Sequence, residues 1–125
     1  MSKNVLNEPQ IATYRARLLQ EREALGREDT ESADDRGTVT LDQQSVGRLS
    51  RMDAIQRQAM AQATARRRQD RDRRIAAALK RIDEGEFGYC QDTGEPISLR
   101  RLVARPTTTL SLEAQERHER REKVH

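Results

Sequence analysis

The chain has 125 residues, of which 34% are hydrophobic and 36% are charged, and its formal net charge is +3. One domain is the default at this length, but so little apolar material, with two tyrosines and one phenylalanine, cannot form a large globular core. No run approaches the roughly 18 apolar residues of a membrane span, and the first residues lack the apolar region of a secretory signal. We therefore expect an elongated helical protein in the cytoplasm, a reducing compartment that suits the single cysteine.

The first predicted helix begins near Asn7. Pro9 is tolerated in a first helical turn because its missing N–H would have no partner there. Apolar residues then recur at helical spacing and form one stripe, which consists of Ile11, Tyr14, Leu18 and Leu25. Gly26 and the polar run 30–37 favour a break or a frayed turn after this stripe.

A second helix is predicted from about Leu41 to Glu84, because this segment is rich in alanine and contains no proline. Its apolar stripe is narrow and consists of Val46, Leu49, Met52, Ala59, Ala63, Ile75, Leu79 and Ile82. Two helices with one narrow stripe each can bury it only against one another, which predicts an antiparallel coiled-coil hairpin. The turn of the hairpin is expected between about residues 30 and 54, at either Gly37 or Gly47.

The segment after the second helix has the composition of a small module with several turns. Its glycines and prolines interrupt helices, and seven apolar residues are available for a core: Phe87, Tyr89, Ile97, Leu99, Leu102, Val103 and Leu110. Ser111 is the predicted N-cap of a last helix from about Leu112 to Lys123. We expect two parts, residues 1–84 with the hairpin and residues 85–125 with the small module and the C-terminal helix.

Six arginines lie between residues 66 and 74, interrupted by two aspartates. They are Arg66, Arg67, Arg68, Arg71, Arg73 and Arg74. Such a stretch indicates either contact with phosphates or a solvated helix face with ion pairs between successive turns. Two alternative functions follow, a basic helical protein that binds nucleic acid or a coiled-coil scaffold, including a homodimer. The chain has few of the aromatic residues that usually stack on bases.

The sequence offers no recognisable catalytic site. Cys90 lacks an arrangement of a base and an orienting group, and no glycine pattern matches a phosphate-binding loop. His118 and His125 together with Cys90 would give at most three metal ligands, whereas a structural zinc needs about four. We therefore expect that the protein is not an enzyme.

Four stretches resemble the DksA/TraR family of transcription regulators. The small finger of that family is similar to FGYCQDTGEPI at 87–97 and RRLVARP at 100–106, and its first coil helix to NEPQIATYRARLL at 7–19. Its hinge into the finger is similar to IDEGEFGY at 82–89. Together these stretches bracket nearly the whole chain. The resemblance implies a mainly α fold, with an antiparallel coiled-coil hairpin, a degenerate zinc-finger-like module and a C-terminal helix.

The finger of this family normally carries Cys-x-x-Cys twice. By this resemblance the four positions are occupied here by Cys90, Thr93, Ser111 and Ala114. Thiolates supply most of the energy that binds a structural zinc, and threonine, serine and alanine cannot replace them. We therefore expect a finger that keeps its scaffold and binds no zinc.

The resemblance also implies a function and its residues. It implies a regulator that binds bacterial RNA polymerase through the secondary channel and modulates initiation in the stringent response, with ppGpp as an effector and without specific DNA binding. The family pattern Asp-x-x-Asp-x-Ala at the coil tip is absent, and the nearest residues for a tip are Arg48, Ser50, Arg51, Asp53 and Ala54. For ppGpp the resemblance indicates Arg67, Arg71 and Arg74, while the family lysine after the fourth cysteine is Gln115 here.

Overall fold

The computed structural model describes residues 6–32 and 48–124, and this part of the chain contains four helices. They are α1 (Glu8–Glu31), α2 (Arg48–Glu84), α3 (Leu99–Ala104) and α4 (Leu112–Val124). Within the same residues there is no strand, only an isolated antiparallel bridge between Tyr89 and Pro96. The predicted fold class, a mainly α helical hairpin with a small module and a C-terminal helix, is confirmed. Both predicted turn positions, Gly37 and Gly47, and the predicted helix start at Leu41 lie outside the described residues.

Helix α1 begins with a reciprocal cap. The Gln10 N–H donates to Asn7 Oδ1 at 2.9 Å, and the Asn7 N–H donates to Gln10 Oε1 at 2.8 Å. Two backbone donors that would otherwise have no helical partner are thereby satisfied. Of the break predicted over Gly26 and residues 30–37, the part at Gly26 is wrong, because α1 continues through it and ends at Glu31, while residues 33–37 lie outside the described residues. A single helical glycine costs only about 1 kcal/mol, which a long packed helix tolerates.

Gly26→Ala is expected to raise the free energy of unfolding by about 0.5–1 kcal/mol, because alanine is the better helix former. A Cβ atom at Gly26 would meet nothing within 4 Å, so no packing cost opposes the gain. Gly94→Ala is the matched control: its Cβ is equally free of contacts, but its φ of +75° penalises a side chain, and the same measurement should show a loss. Urea denaturation followed by circular dichroism measures both, and a destabilised Gly26→Ala variant would contradict the prediction.

The described residues form two compact units. One combines the chain up to Gln20 with the chain from Arg74 onward, and the other comprises the described residues between Glu21 and Arg73. The predicted division into residues 1–84 and 85–125 stays a prediction.

The first unit contains most of the buried apolar side chains. They come from α1, α2 and the small module and include Tyr14, Leu18, Ile75, Ala78, Ile82, Phe87, Ile97, Leu102 and Ala114. The rings of Tyr14 and Phe87 pack with their centroids 5.5 Å apart, and Arg15 pairs with Asp83 at 2.8 Å. These contacts join the start of α1 to the end of α2 and to the first turn of the module.

The second unit is held mainly by polar contacts between α1 and α2. Arg22 pairs with Asp72 at 2.9 Å, and Arg68 pairs with Glu28 at 3.5 Å. As the residue number rises along α1 it falls along α2, so the helices run antiparallel here. Ala65 is a buried side chain of this unit, with 4% of its surface exposed. Thin apolar packing of this kind matches the low apolar content of the sequence.

Parts of the predicted apolar stripe and of the predicted small core are not buried. Met52 is 55% exposed and Ala59 is also exposed, in contrast to the stripe predicted along α2. Leu99 and Val103, expected in the core of the module, lie on the exposed side of α3. Helix α3 itself was not predicted, although Ser98 caps it through its side chain. None of the described helices is long and apolar enough to span a membrane.

Candidate functional site: coil tip, arginine face and finger

The residues predicted for the coil tip lie in the first turns of α2. Ser50 and Asp53 are exposed, whereas Arg51 and Ala54 are half-buried. Arg48 begins the helix, and its side chain lies outside the description. Met52 is exposed beside them. This end of α2 therefore presents one carboxylate and one hydroxyl to solvent within a single helical turn.

The three arginines predicted for ppGpp all have exposed side chains. Their spacings of four and three residues put them on one side of the continuous helix α2. Arg67 Nη2 donates to Thr64 Oγ1 at 3.0 Å, and Arg71 Nε donates to Glu21 Oε1 at 2.9 Å. Arg74 makes no ion pair with the residues that the structure describes. We call Arg67, Arg71 and Arg74 the arginine face.

The other arginines of the stretch are used differently. Arg68 is half-buried between the helices and contacts both Glu28 and Ser32, and Arg73 pairs with Asp70 one turn earlier. The interpretation as a solvated helix face with ion pairs between successive turns fits Arg73, whereas Arg68 is half-buried and pairs with α1 instead. Glu21, the partner of Arg71, was not identified from the sequence, because fifty residues separate the two in the chain.

The finger is built around a tight turn at Cys90. The Gly94 N–H donates to the Cys90 carbonyl and the Cys90 N–H to the Glu95 carbonyl, each at 2.8 Å. The Gln91 N–H donates to the Thr109 carbonyl, also at 2.8 Å, which ties this turn to the loop before α4. Cys90 is 2% exposed, so its sulfur lies inside the module.

The four positions that correspond to family cysteines lie in one small region. Burial raises the pKa of the Cys90 thiol, but hydrogen bonds from the side chains and backbone of Thr93 and Ser111 lower it more, to about 6. Ser111 Oγ accepts from the Ala114 N–H at 3.2 Å, which confirms Ser111 as the cap of α4. Ala114 is fully buried. Thr93 and Ser111 thus act on the pKa of Cys90, and the fourth position contributes a buried methyl group.

Two further polar contacts of the module were not predicted. His118 Nε2 on α4 lies 2.6 Å from Asp92 Oδ2 in the turn after Cys90. Arg81 is buried and donates from Nη2 to the Thr107 carbonyl at 3.3 Å. Its pKa lies below the usual value of arginine, because burial lowers it by more than the nearby Glu86 raises it. His125 lies outside the described residues, and those that are described hold no group of three or more histidine, cysteine, aspartate or glutamate side chains placed for a metal ion.

Sequence comparison matches the finger and α4 to a known family. Residues 85–120 match the model of the prokaryotic dksA/traR C4-type zinc finger. Over 120 residues the chain is 39% identical to the RNA polymerase-binding transcription factor DksA of Caulobacter vibrioides, which covers 96% of this chain and 83% of the relative. The DksA of Haemophilus influenzae is 46% identical over 61 residues, which is 46% of this chain and 42% of the relative.

Solved structures agree with the fold. The transcription factor DksA2 from Pseudomonas aeruginosa superimposes with a TM-score of 0.77 at 33% identity, over 94% of this chain and 88% of that chain. A transcriptional regulator from Chlamydia trachomatis superimposes with a TM-score of 0.56 at 24% identity, over 92% and 93% of the two chains, and shares the fold.

The match to a C4-type zinc finger contradicts the prediction that no zinc is bound, because the matched family is defined by a zinc site. A four-thiolate site does not fit the side chains found there, since Cys90 is the single thiol, Thr93 and Ser111 bear hydroxyls, and Ala114 bears a methyl group.

Proposed function

Because this chain belongs to the DksA/TraR family, we propose that it binds bacterial RNA polymerase and regulates transcription initiation. One observation carries the proposal: the chain is 39% identical, over 96% of its length, to a protein named for binding RNA polymerase. The protein acts as a regulator and not as an enzyme. It acts in the cytoplasm, where the polymerase transcribes DNA.

The proposed mode of binding inserts the helical hairpin into the secondary channel, with the start of α2 as the tip. Exposed Ser50 and Asp53 support this assignment, since both can meet polymerase groups without unfolding the helix. Arg48, Arg51 and Ala54 complete the proposed tip. Asp53 takes the acting role, because a carboxylate can bind cationic groups or a metal ion in the enzyme.

The arginine face is proposed to hold the phosphates of ppGpp while the protein is on the polymerase. Three exposed guanidinium groups on one helix side suit phosphate, which binds arginine through paired hydrogen bonds. Arg74 makes no ion pair with the described residues, whereas Arg71 must leave Glu21 or share it with a phosphate. Gln115 stands where the family has a lysine after its fourth cysteine, so the proposed ppGpp site has one cation fewer than the family site.

The proposal is tested with purified RNA polymerase. The protein is immobilised, core polymerase is passed over it, and a duplex DNA titration is run in parallel. Submicromolar binding to polymerase with weak DNA binding is the expected result. Tight, salt-dependent DNA binding without polymerase binding would instead support the nucleic-acid alternative.

Replacing Arg67, Arg71 and Arg74 together by glutamine is expected to reduce the ppGpp-dependent part of promoter inhibition about tenfold, because phosphate contacts are lost. The measurement is a purified transcription assay with and without ppGpp. Arg57, Arg66 and Arg73 are replaced by glutamine in a matched control, which removes the same charge from other parts of α2 and should keep the ppGpp response. If both variants lose the ppGpp response equally, the response depends on the total positive charge of α2 and not on the arginine face.

A further inference from the structure

Helix α3 exposes two aliphatic side chains that the composition of the module would place inside. Leu99 is 39% exposed and Val103 is 58% exposed, and their spacing of four residues puts them on the same side of the helix. Loose packing does not explain this exposure. Leu102, three residues after Leu99 and next to Val103, is 1% exposed and fixes α3 to the core, and the Arg101 N–H donates to Ser98 Oγ at the cap.

Arginines near these two side chains form no ion pair with the described residues: Arg17, Arg100 and Arg101. Residues 96–112 contain three arginines and no aspartate or glutamate, and Glu95 and Glu113 flank this stretch. Arg100 is exposed beside Leu99 and makes no ion pair with the described part of the chain. Arg17 of α1 donates from Nη1 to the Val103 carbonyl at 2.8 Å, and Arg101 Nε donates to the Leu110 carbonyl at 2.8 Å. Both acceptors are neutral backbone carbonyl groups, so neither contact neutralises the positive charge of Arg17 or Arg101.

The pattern differs from that of the paired arginines of α1 and α2. Arg15, Arg22 and Arg71 each contact a carboxylate of the same chain. Near α3 the chain supplies cations and exposed apolar carbon but no carboxylate of its own within residues 96–112. We call Leu99, Arg100, Val103 and Arg17 the α3 face.

We propose that the α3 face docks on an acidic protein surface that also offers apolar side chains, and that this surface belongs to RNA polymerase. The second part rests on the function proposed above. Complementary charge selects an acidic partner and speeds encounter, while burial of the two aliphatic side chains stabilises the complex. A nucleic acid would match the arginines but not the aliphatic pair, because phosphates gain nothing from covering aliphatic carbon and the face has no aromatic ring for a base.

The test measures binding to RNA polymerase holoenzyme by biolayer interferometry at several salt concentrations. A double variant, Leu99→Ser with Val103→Ser, is expected to bind about tenfold more weakly, since its partly exposed apolar area no longer gains from burial. Arg100→Glu is expected to bind about fivefold more weakly, with a shallower dependence on salt. The matched control is Leu19→Ser, at a side chain 49% exposed on α1, and its affinity should stay within about twofold of the unmodified protein.

The outcomes separate this inference from the proposed function. If the unmodified protein fails to bind polymerase, the proposed function falls and the α3 docking falls with it. If it binds and both α3 variants bind equally well, the docking is wrong and the proposed function stands. If the serine variant loses helicity, Arg100→Glu decides alone, because it changes an exposed side chain. A loss confined to Arg100→Glu, with tighter binding of the unmodified protein to duplex DNA than to polymerase, would assign the face to nucleic acid and overturn the proposal.

Discussion

Leu18→Ala is expected to lower the free energy of unfolding by about 3 kcal/mol, within the range found when a buried leucine is truncated. Leu18 is fully buried, so its removal loses transfer free energy and leaves a cavity that the surrounding core fills only in part. Few other large side chains in the described residues are as completely buried. The measurement is thermal and urea unfolding followed by circular dichroism at 222 nm.

Leu19→Ala is the matched control, since it makes the same chemical change at the neighbouring residue of α1. Leu19 is 49% exposed, and its truncation should change the free energy of unfolding by less than about 1 kcal/mol. Alanine is at least as good a helix former as leucine, so neither variant loses helix propensity. Equal destabilisation of the two would mean that the face of α1 that enters the core is not the one described.

The starts of α1 and α4 were predictable because their signals are local. Asn7 and Gln10 cap α1 within three residues of one another, and Ser111 caps α4 directly before its first turn. The break predicted at Gly26 is wrong for a different reason. A glycine lowers helix propensity by about 1 kcal/mol, but packing by Tyr14 and Leu18 along the same helix outweighs a cost of that size.

The polar contacts of the sites were not predictable, because they join residues far apart in the chain. Arg71 and Glu21 are separated by fifty residues, and His118 and Asp92 by twenty-six. A local charge pattern identifies the arginines but says nothing about which of them a distant carboxylate neutralises. This is why the arginine stretch permitted two interpretations. Among the described residues, Arg68 and Arg73 form ion pairs and Arg74 forms none.

Apolar residues in a small module were assumed to be buried, and that assumption failed at α3. Helix α3 buries Leu102 against the small core, whereas Leu99 and Val103 on the same short helix remain exposed. Composition cannot make this distinction, because it counts apolar side chains without the helical phase that decides which of them pack. The zinc prediction relied on the loss of three of the four family cysteines, and it is contradicted by the match of residues 85–120 to the C4-type zinc-finger family.

Asp53→Asn is expected to weaken the effect on transcription about thirtyfold while polymerase affinity stays within about twofold. The estimate corresponds to about 2 kcal/mol, the lower end of the cost of removing one partner from a close, desolvated charge contact. Asparagine keeps the size and one oxygen of aspartate, and Asp53 is exposed on α2, so the fold should be unaffected. Inhibition of a responsive promoter is measured in a purified transcription assay, with polymerase affinity determined on the same preparations.

Asp70→Asn is the control for Asp53→Asn, because Asp70 is also an exposed carboxylate on α2. It pairs with Arg73 on the helix surface, and exposed pairs of this kind contribute little, so both binding and activity should be retained. Three results would revise the assignment. Loss of polymerase binding in Asp53→Asn would make Asp53 a docking residue, and loss of helicity would make it structural. Full activity would place the acting carboxylate elsewhere, with Asp34 and Asp35 as the next residues to replace, since they are the acidic pair nearest the hairpin turn in the sequence.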